Sequence, residues 1–205
     1  QRFATPDDLD AHDCTIEERE EYEPYVRQGL VIFAGVDYEA VLREAEQEAD
    51  IVLWDGGNND FSFIKADLEI VVCDALRAGH GLDYYPGETN FRRADIVVIN
   101  KVGGATNADI EQILSLKASI NPNAELLQSD LEVSIDSPQL LTGKKVLIVE
   151  DGPTVTHGGM AYGAGWVAAQ RWHAGEIVNP KPHAVGSIAE TFALNPHLEN
   201  VLPAM

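Results

Sequence analysis

The stretch Ile51-Val52-Leu53-Trp54-Asp55-Gly56-Gly57-Asn58-Asn59-Asp60 decides how this chain is read. Four apolar residues run straight into an aspartate, then two glycines and a polar cluster. An unbroken apolar run ending this way is the pattern of a parallel strand buried on both faces, with its tip entering a site. A carboxylate at such a tip can hold Mg²⁺ directly or through water. The glycines let backbone approach a phosphate with no Cβ in the way. An ordinary strand end followed by a turn is the plainer alternative, and Asn58, Asn59 and Asp60 tilt the reading toward a site.

Just upstream, Thr15 with Glu18 three residues on forms a capping-box pattern for a helix over 17–27, which stops near Gly29. A short apolar strand over 30–34 follows. Asp37 caps a helix over 38–49 that carries Val41, Leu42 and Ala45 on one face. Residues 51–54 come next. Strand, helix and strand with short joints predict a βαβ unit and a parallel sheet. Downstream, strands are expected over 68–73, 96–99, 124–127 and 146–150, with a helix over 109–119. Residues 75–90, rich in Gly, His, Tyr and Pro, are expected to form a long irregular loop. A short helix is expected over 138–141, and helices over 165–174 and from Ser187, with Glu190 completing its cap.

The 205 residues suffice for one sizeable α/β domain, and 45% hydrophobic with 23% charged residues is ordinary for a globular protein. The balance of charge is not ordinary. Thirty-four acidic against fourteen basic residues give −20, a field that repels nucleic acid and anionic membrane surfaces. Cys14 and Cys73 have no metal-type spacing, and a reduced cytoplasmic setting is expected. No apolar run is long enough to span a bilayer.

Several expected strands end in polar groups: Asp55, Asp74, Asn100-Lys101 and Glu150-Asp151. Ligands bind at the carboxyl ends of the strands in open parallel sheets, so these groups are expected to face one crevice. His157-Gly158-Gly159 lies after a strand and before a helix. Two glycines there can expose successive backbone N–H groups to an anion with a helix dipole behind them, or can simply allow close packing. Asn100-Lys101 matches the start of the Asn-Lys-x-Asp run with which GTPases read guanine. Gly103 stands in the fourth position, so the guanine-reading carboxylate is missing. The phosphate-loop pattern G-x-x-x-x-G-K-[ST] is absent: Thr142-Gly143-Lys144-Lys145 lacks its first glycine and its hydroxyl residue.

Six segments together carry a resemblance. They are Trp54 to Asp60, Tyr85-Pro86-Gly87-Glu88-Thr89-Asn90, Ile99-Asn100-Lys101-Val102, Val149-Glu150-Asp151-Gly152-Pro153-Thr154, Thr156-His157-Gly158-Gly159-Met160 and Ala184 to Thr191. In this order the chain resembles the cyclic 2,3-diphosphoglycerate synthetase family, whose members are often labelled simply as GTPases. The resemblance implies a P-loop NTPase-like three-layer sandwich, α/β, with a mostly parallel sheet flanked by helices. It also implies that residues 1–205 are the C-terminal portion of that domain, beginning just after the phosphate-loop strand.

The function so implied is that of an ATP-dependent ligase closing the intramolecular phosphoanhydride of cyclic 2,3-diphosphoglycerate from 2,3-bisphosphoglycerate. ATP and Mg²⁺ are the implied cofactors, and a phosphorylated small molecule is the implied substrate. A homo-oligomer is compatible with this reading; nucleic acid and membrane are not expected partners. Asp55, His157, Arg92 and Lys101 are the candidate catalytic residues. Gly56, Gly57, Asn58, Asn100, Lys101, Gly158 and Gly159 are candidates for nucleotide and phosphate binding, and Asp55, Asp60 and Glu88 for the metal. Arg93 and Lys181 are further candidate hydrogen-bond donors to phosphate, with solvated surface charge as the plainer reading of each. The alternatives are an NTPase switch or chaperone hydrolysing GTP or ATP, and a non-catalytic module.

Overall fold

A computed structural model describes residues 1–56, 61–62 and 64–204. These divide into two compact units, residues 1–67 with 82–90, and residues 68–81 with 91–205.

The first unit opens with a two-residue strand, β1 (Arg2–Phe3), and helices α1 (Pro6–Ala11) and α2 (Ile16–Arg27). The capping box that starts α2 is as expected. Thr15 Oγ1 accepts from Glu18 N at 3.2 Å, and Glu18 Oε2 accepts from Thr15 N at 2.8 Å. Strand β2 (Ile32–Phe33) and helix α3 (Tyr38–Glu48) follow, with Asp37 accepting from Ala40 N at the head of α3. Phe3, Leu9 and Val26 form a small core with Tyr22, Ile32 and Ala34 packed around it. Arg2 clamps Glu48 with two hydrogen bonds of 2.5 and 2.6 Å.

Two expectations fail in this unit. Strand β2 pairs antiparallel with β1, so there is no parallel βαβ unit here. Residues 51–56 form no strand, and Ile51, Val52, Leu53 and Trp54 are all exposed. An apolar run becomes a buried strand only when a neighbour supplies ladder hydrogen bonds and helices cover its faces. Among the described residues no strand pairs with it.

The second unit is built on a parallel sheet. Strands β3 (Ile70–Asp74) and β4 (Ile96–Asn100) pair over their full length, and β5 (Glu125–Gln128) lies on the other side of β4, giving the order β3-β4-β5. Between β3 and β4 the chain is helical rather than an irregular loop. Asp74 accepts from Leu76 N and starts a 3-10 turn, and α4 (His80–Asp83) and α5 (Gly87–Arg93) follow. Helix α6 (Asn107–Ile120) joins β4 to β5, capped by Thr106 and Asp109. Its Ile110, Ile113, Leu114 and Ile120 recur at helical spacing and pack on Val71, Cys73, Val97, Ile99 and Leu126 from one face of the sheet. Side chains alternate along a strand, so Ile70, Val72 and Leu127 belong to the opposite face, where they are 53, 52 and 50% exposed.

The expected single strand over 146–150 is two strands with different partners. Strand β6 (Lys145–Val146) pairs in parallel with β8 (Glu176–Ile177), and β7 (Val149–Glu150) pairs in parallel with β9 (Leu202–Pro203). Helix α7 (Gly152–Thr156) starts hard against β9: a Cβ on Gly152 would lie 2.0 Å from the Ala204 carbonyl oxygen. Helices α8 (Ala164–Arg171) and α9 (Gly186–Leu194) complete the unit around Ile148, Val155, Ala169, Phe192, Leu198 and Val201. Ser187 does not cap α9. The N-cap is Val185, and Ser187 sits inside the first turn, its carbonyl accepting from Thr191 Oγ1.

The chain is thus α/β, with a parallel three-stranded sheet flanked by helices.

Candidate functional site

Parallel pairing in register brings Asp74 opposite Asn100, so the ends of β3 and β4 present their polar residues side by side. Lys101 follows with φ +63, in the left-handed region, and its Nζ meets Asp74 Oδ2 at 2.7 Å. Arg77, three residues past Asp74, holds its Nε 4.0 Å from the same oxygen. Asn100 Oδ1 accepts from Lys101 N at 2.8 Å and from Ser129 Oγ at 3.1 Å, bracing the end of β4 against the end of β5. The Ser129 carbonyl accepts from Val102 N at 3.3 Å. Next to it, a Cβ on Gly103 would stand 2.2 Å from Asp130 Oδ2. The space beside Gly103 is filled by a carboxylate from the segment just past β5.

The glycine turn belongs to the same unit and approaches this edge. A Cβ on Gly158 would lie 2.9 Å from an Arg77 guanidinium nitrogen and 2.4 Å from the Thr154 carbonyl oxygen. Only a glycine lets the turn and Arg77 come this close. The backbone N–H of Gly158 does not point outward as a free donor: with that of His157 it closes the end of α7 on the Pro153 carbonyl. Gly159 takes φ +65. His157 is exposed, its Nδ1 3.2 Å from Thr156 Oγ1.

The helix dipole expected behind the glycines is already occupied. Glu150, 5% exposed at the end of β7, accepts from Trp166 N at 2.7 Å and from Gly165 N at 3.2 Å, the first turn of α8. An internal carboxylate sits where an anion would sit. Asp151 is equally committed, capping α7 through Thr154 N and Thr154 Oγ1. Of the four polar strand ends expected to face one crevice, Asp74 and Asn100-Lys101 meet, whereas Glu150 and Asp151 serve helix starts.

Arg93 pairs with Glu69, and Lys181 donates to the Pro196 carbonyl at 3.1 Å and lies over the Phe192 ring. Both cations hold structure. Arg92 is exposed on α5, and Glu88 lies in the first turn of the same helix. Asp55 and Gly56 are exposed in the first unit, while Gly57, Asn58, Asn59 and Asp60 lie outside the described residues. Among the described residues no group of three or more His, Cys, Asp or Glu side chains is placed to hold a metal. A nucleotide-bound Mg²⁺ needs only one or two carboxylates, since phosphate oxygens and waters complete its shell.

Sequence reading did not single out Arg77, Ser129 or Asp130. The rule that picks out Asp74 at the end of β3 also picks out Ser129 and Asp130 just past the end of β5. Arg77 has no sequence signal, because only folding brings it to Gly158.

Fold and site together define an α/β protein with a charged, hydrogen-bonded cluster along the carboxyl edge of a parallel sheet. No family model matches the chain, and no solved structure does. Two curated proteins are similar to it. Arginine synthetase ArcE of Thermococcus kodakarensis is 59% identical over 205 residues, all of this chain and 46% of that protein. Cyclic 2,3-diphosphoglycerate synthetase of Thermococcus sibiricus is 31% identical over 130 residues, 61% of this chain and 29% of that protein. The chain therefore spans less than half the length of either relative. Both are named as synthetases, in keeping with the ligase chemistry expected from sequence. The similarity to the expected family is partial, and the similarity that runs through the whole chain is to an arginine synthetase. Among the described residues no helix is long and apolar enough to cross a membrane.

Proposed function

We propose that this chain is part of a nucleotide-dependent synthetase that forms arginine. The observation that carries this reading is the 59% identity to arginine synthetase ArcE along all 205 residues.

The chemistry connects the two relatives' names. A guanidinium carbon differs from a ureido carbon by nitrogen in place of oxygen, and that oxygen must be made a leaving group. Transfer of a γ-phosphoryl group to the ureido oxygen forms a C–O–P link as the β–γ P–O bond breaks and the nucleoside diphosphate departs. The lone pair of ammonia then attacks the carbon, the C–O bond breaks, inorganic phosphate leaves, and one proton passes to a base. Closing a cyclic phosphoanhydride on a bisphosphate can begin with the same half-reaction, the acceptor oxygen being on phosphorus instead. ATP is the nucleotide the sequence resemblance implies. In the first unit Asp55 is proposed as a Mg²⁺ ligand; in the second, Lys101, Arg77 and His157 are proposed to position phosphoryl oxygens.

Formation of cyclic 2,3-diphosphoglycerate is the second reading, supported by the 31% similarity over 130 residues.

The test is to incubate the full-length polypeptide with Mg²⁺-ATP, ammonium and a ureido amino acid, and to measure arginine and phosphate. Arginine formation that Asp55→Asn abolishes is the expected result. Phosphate release only with 2,3-bisphosphoglycerate present would replace this reading with the second, and nucleotide hydrolysis without need of either acceptor would overturn both.

A further inference from the structure

We propose that the Asp130 carboxylate is a recognition element for a planar pair of adjacent N–H donors, the pair found on the edge of guanine and on a guanidinium group. The proposal deepens the reading above and rests on it for the identity of the ligands.

The run Asn100-Lys101-Val102-Gly103 has the first two residues of a guanine-reading motif and no acid at the fourth. The structure brings an acid to this place from the segment that follows β5. Around the place a Gly103 Cβ would take, Asp130 Oδ2 lies at 2.2 Å, Cγ at 3.0 Å and Oδ1 at 3.3 Å. A side chain on residue 103 and this position of Asp130 exclude each other. The bare glycine and the displaced acid are two halves of one arrangement.

Asp130 is held but not neutralised. Its Oδ1 accepts from Leu131 N at 2.9 Å, and the preceding Ser129 is tied to Asn100 and Val102. Lys101, the nearby cation in sequence, spends its ammonium on Asp74. Among the described residues Asp130 has no cationic partner, and it is exposed. Oδ1 keeps one lone pair and Oδ2 keeps both. Two parallel N–H groups match such a carboxylate, as in bidentate arginine–carboxylate pairs. Adenine offers a donor beside an acceptor and satisfies only one oxygen.

The experiment uses the full-length protein and Asp130→Asn, which offers one acceptor and one donor. One arm measures competition of GTP, ATP and XTP against a fluorescent nucleotide. The other measures arginine affinity by calorimetry. A guanine source predicts that GTP outcompetes ATP by about tenfold or more and that D130N shifts preference toward XTP. A guanidinium source predicts that D130N weakens arginine about tenfold or more and leaves nucleotides alone. Gly103→Ala, which must push the carboxylate aside, is expected to copy the loss without removing the acid. Unchanged GTP, ATP and arginine affinities in both variants would overturn the proposal. The arginine-forming assay of the unaltered protein is a separate readout: its failure sinks the proposed function, while a D130N effect on GTP or arginine affinity still upholds the role of Asp130.

Discussion

Lys101, at a left-handed φ just past β4, reaches Asp74 at the end of β3, with 2.7 Å between Nζ and Oδ2. The bond ties two neighbouring strand ends at the polar edge of the sheet. The pair is partly exposed, so its contribution to stability is expected to be small, up to about 1 kcal/mol. Lys101→Met should therefore shift the denaturation midpoint little. If Lys101 serves the proposed chemistry, turnover of the full-length protein should fall by roughly tenfold or more, the worth of one charge-assisted hydrogen bond. Steady-state kinetics beside urea titration separates the two effects. A large stability loss with matching loss of activity would reduce Lys101 to a structural brace.

Glu150 is a carboxylate acting as a helix cap from another element. Glu150→Ala strands the N–H groups of Gly165 and Trp166 in a nearly closed environment. The expected cost is roughly 1–3 kcal/mol, with Glu150→Gln milder because one acceptor oxygen remains. Gly163→Ala should be harmful by a different route, since its Cβ would stand 2.5 Å from Glu150 Oε2. Urea denaturation of the three variants checks the order.

Asn121 ends α6 and is 9% exposed. Its Nδ2 donates to the carbonyls of Phe91 at 3.0 Å and Ala94 at 2.8 Å, and its Oδ1 accepts from Ala124 N at 3.2 Å. One side chain thus fastens the joint before β4 to the joint before β5. Asn121→Ala is expected to cost about 2–3 kcal/mol, because buried backbone groups lose their partner. Asn121→Asp should be comparable, since a carboxylate cannot donate to either carbonyl. Thermal unfolding measures both.

Burial pushes the Cys73 thiol up to about 11. The folded protein holds this proton more tightly than the unfolded chain, whose thiol titrates near 8.5. The associated stability is complete below about 8.5 and is lost as pH rises through about 11. At the acid end the sign reverses. Hydrogen bonds from Thr106 hold the Asp109 carboxyl below its ordinary range, as Ala4 and Thr5 do for Asp8 and Arg2 does for Glu48. These groups contribute above the ordinary carboxylate range, near 4, and that contribution is lost as pH falls below it. Stability measured against pH should decline at both ends, and Cys73→Ala should lessen the alkaline decline only. Thiol labelling at pH 8 should find Cys73 slow in the native state.

What was legible in the sequence was local. Thr15 with Glu18, and Asp37 ahead of 38–49, announce their helices because a cap and its target are three residues apart. The strands at β3, β4 and β5 were legible because each is a short apolar run between turn residues. Residues 51–54 carry the same kind of pattern and form no strand, since pairing depends on a partner that the run itself does not specify. The strand expected over 146–150 broke because its halves found different neighbours, β8 and β9. At the site, Asn100 and Lys101 were visible as a motif fragment. Asp130 against Gly103 and Arg77 against Gly158 were not, because each joins residues far apart along the chain.

Among the described residues, Ile70, Val72 and Leu127 on one face of the sheet stand about half open to water. With 34 acids against 14 bases, copies of this chain are expected to repel one another in dilute buffer. Salt removes that repulsion, since screening shortens to about 3 Å at 1 M, while apolar attraction persists. Concentrated brine should therefore make this polypeptide cluster through its sheet, the reverse of the dispersing effect that salt has on assemblies held by opposite charges.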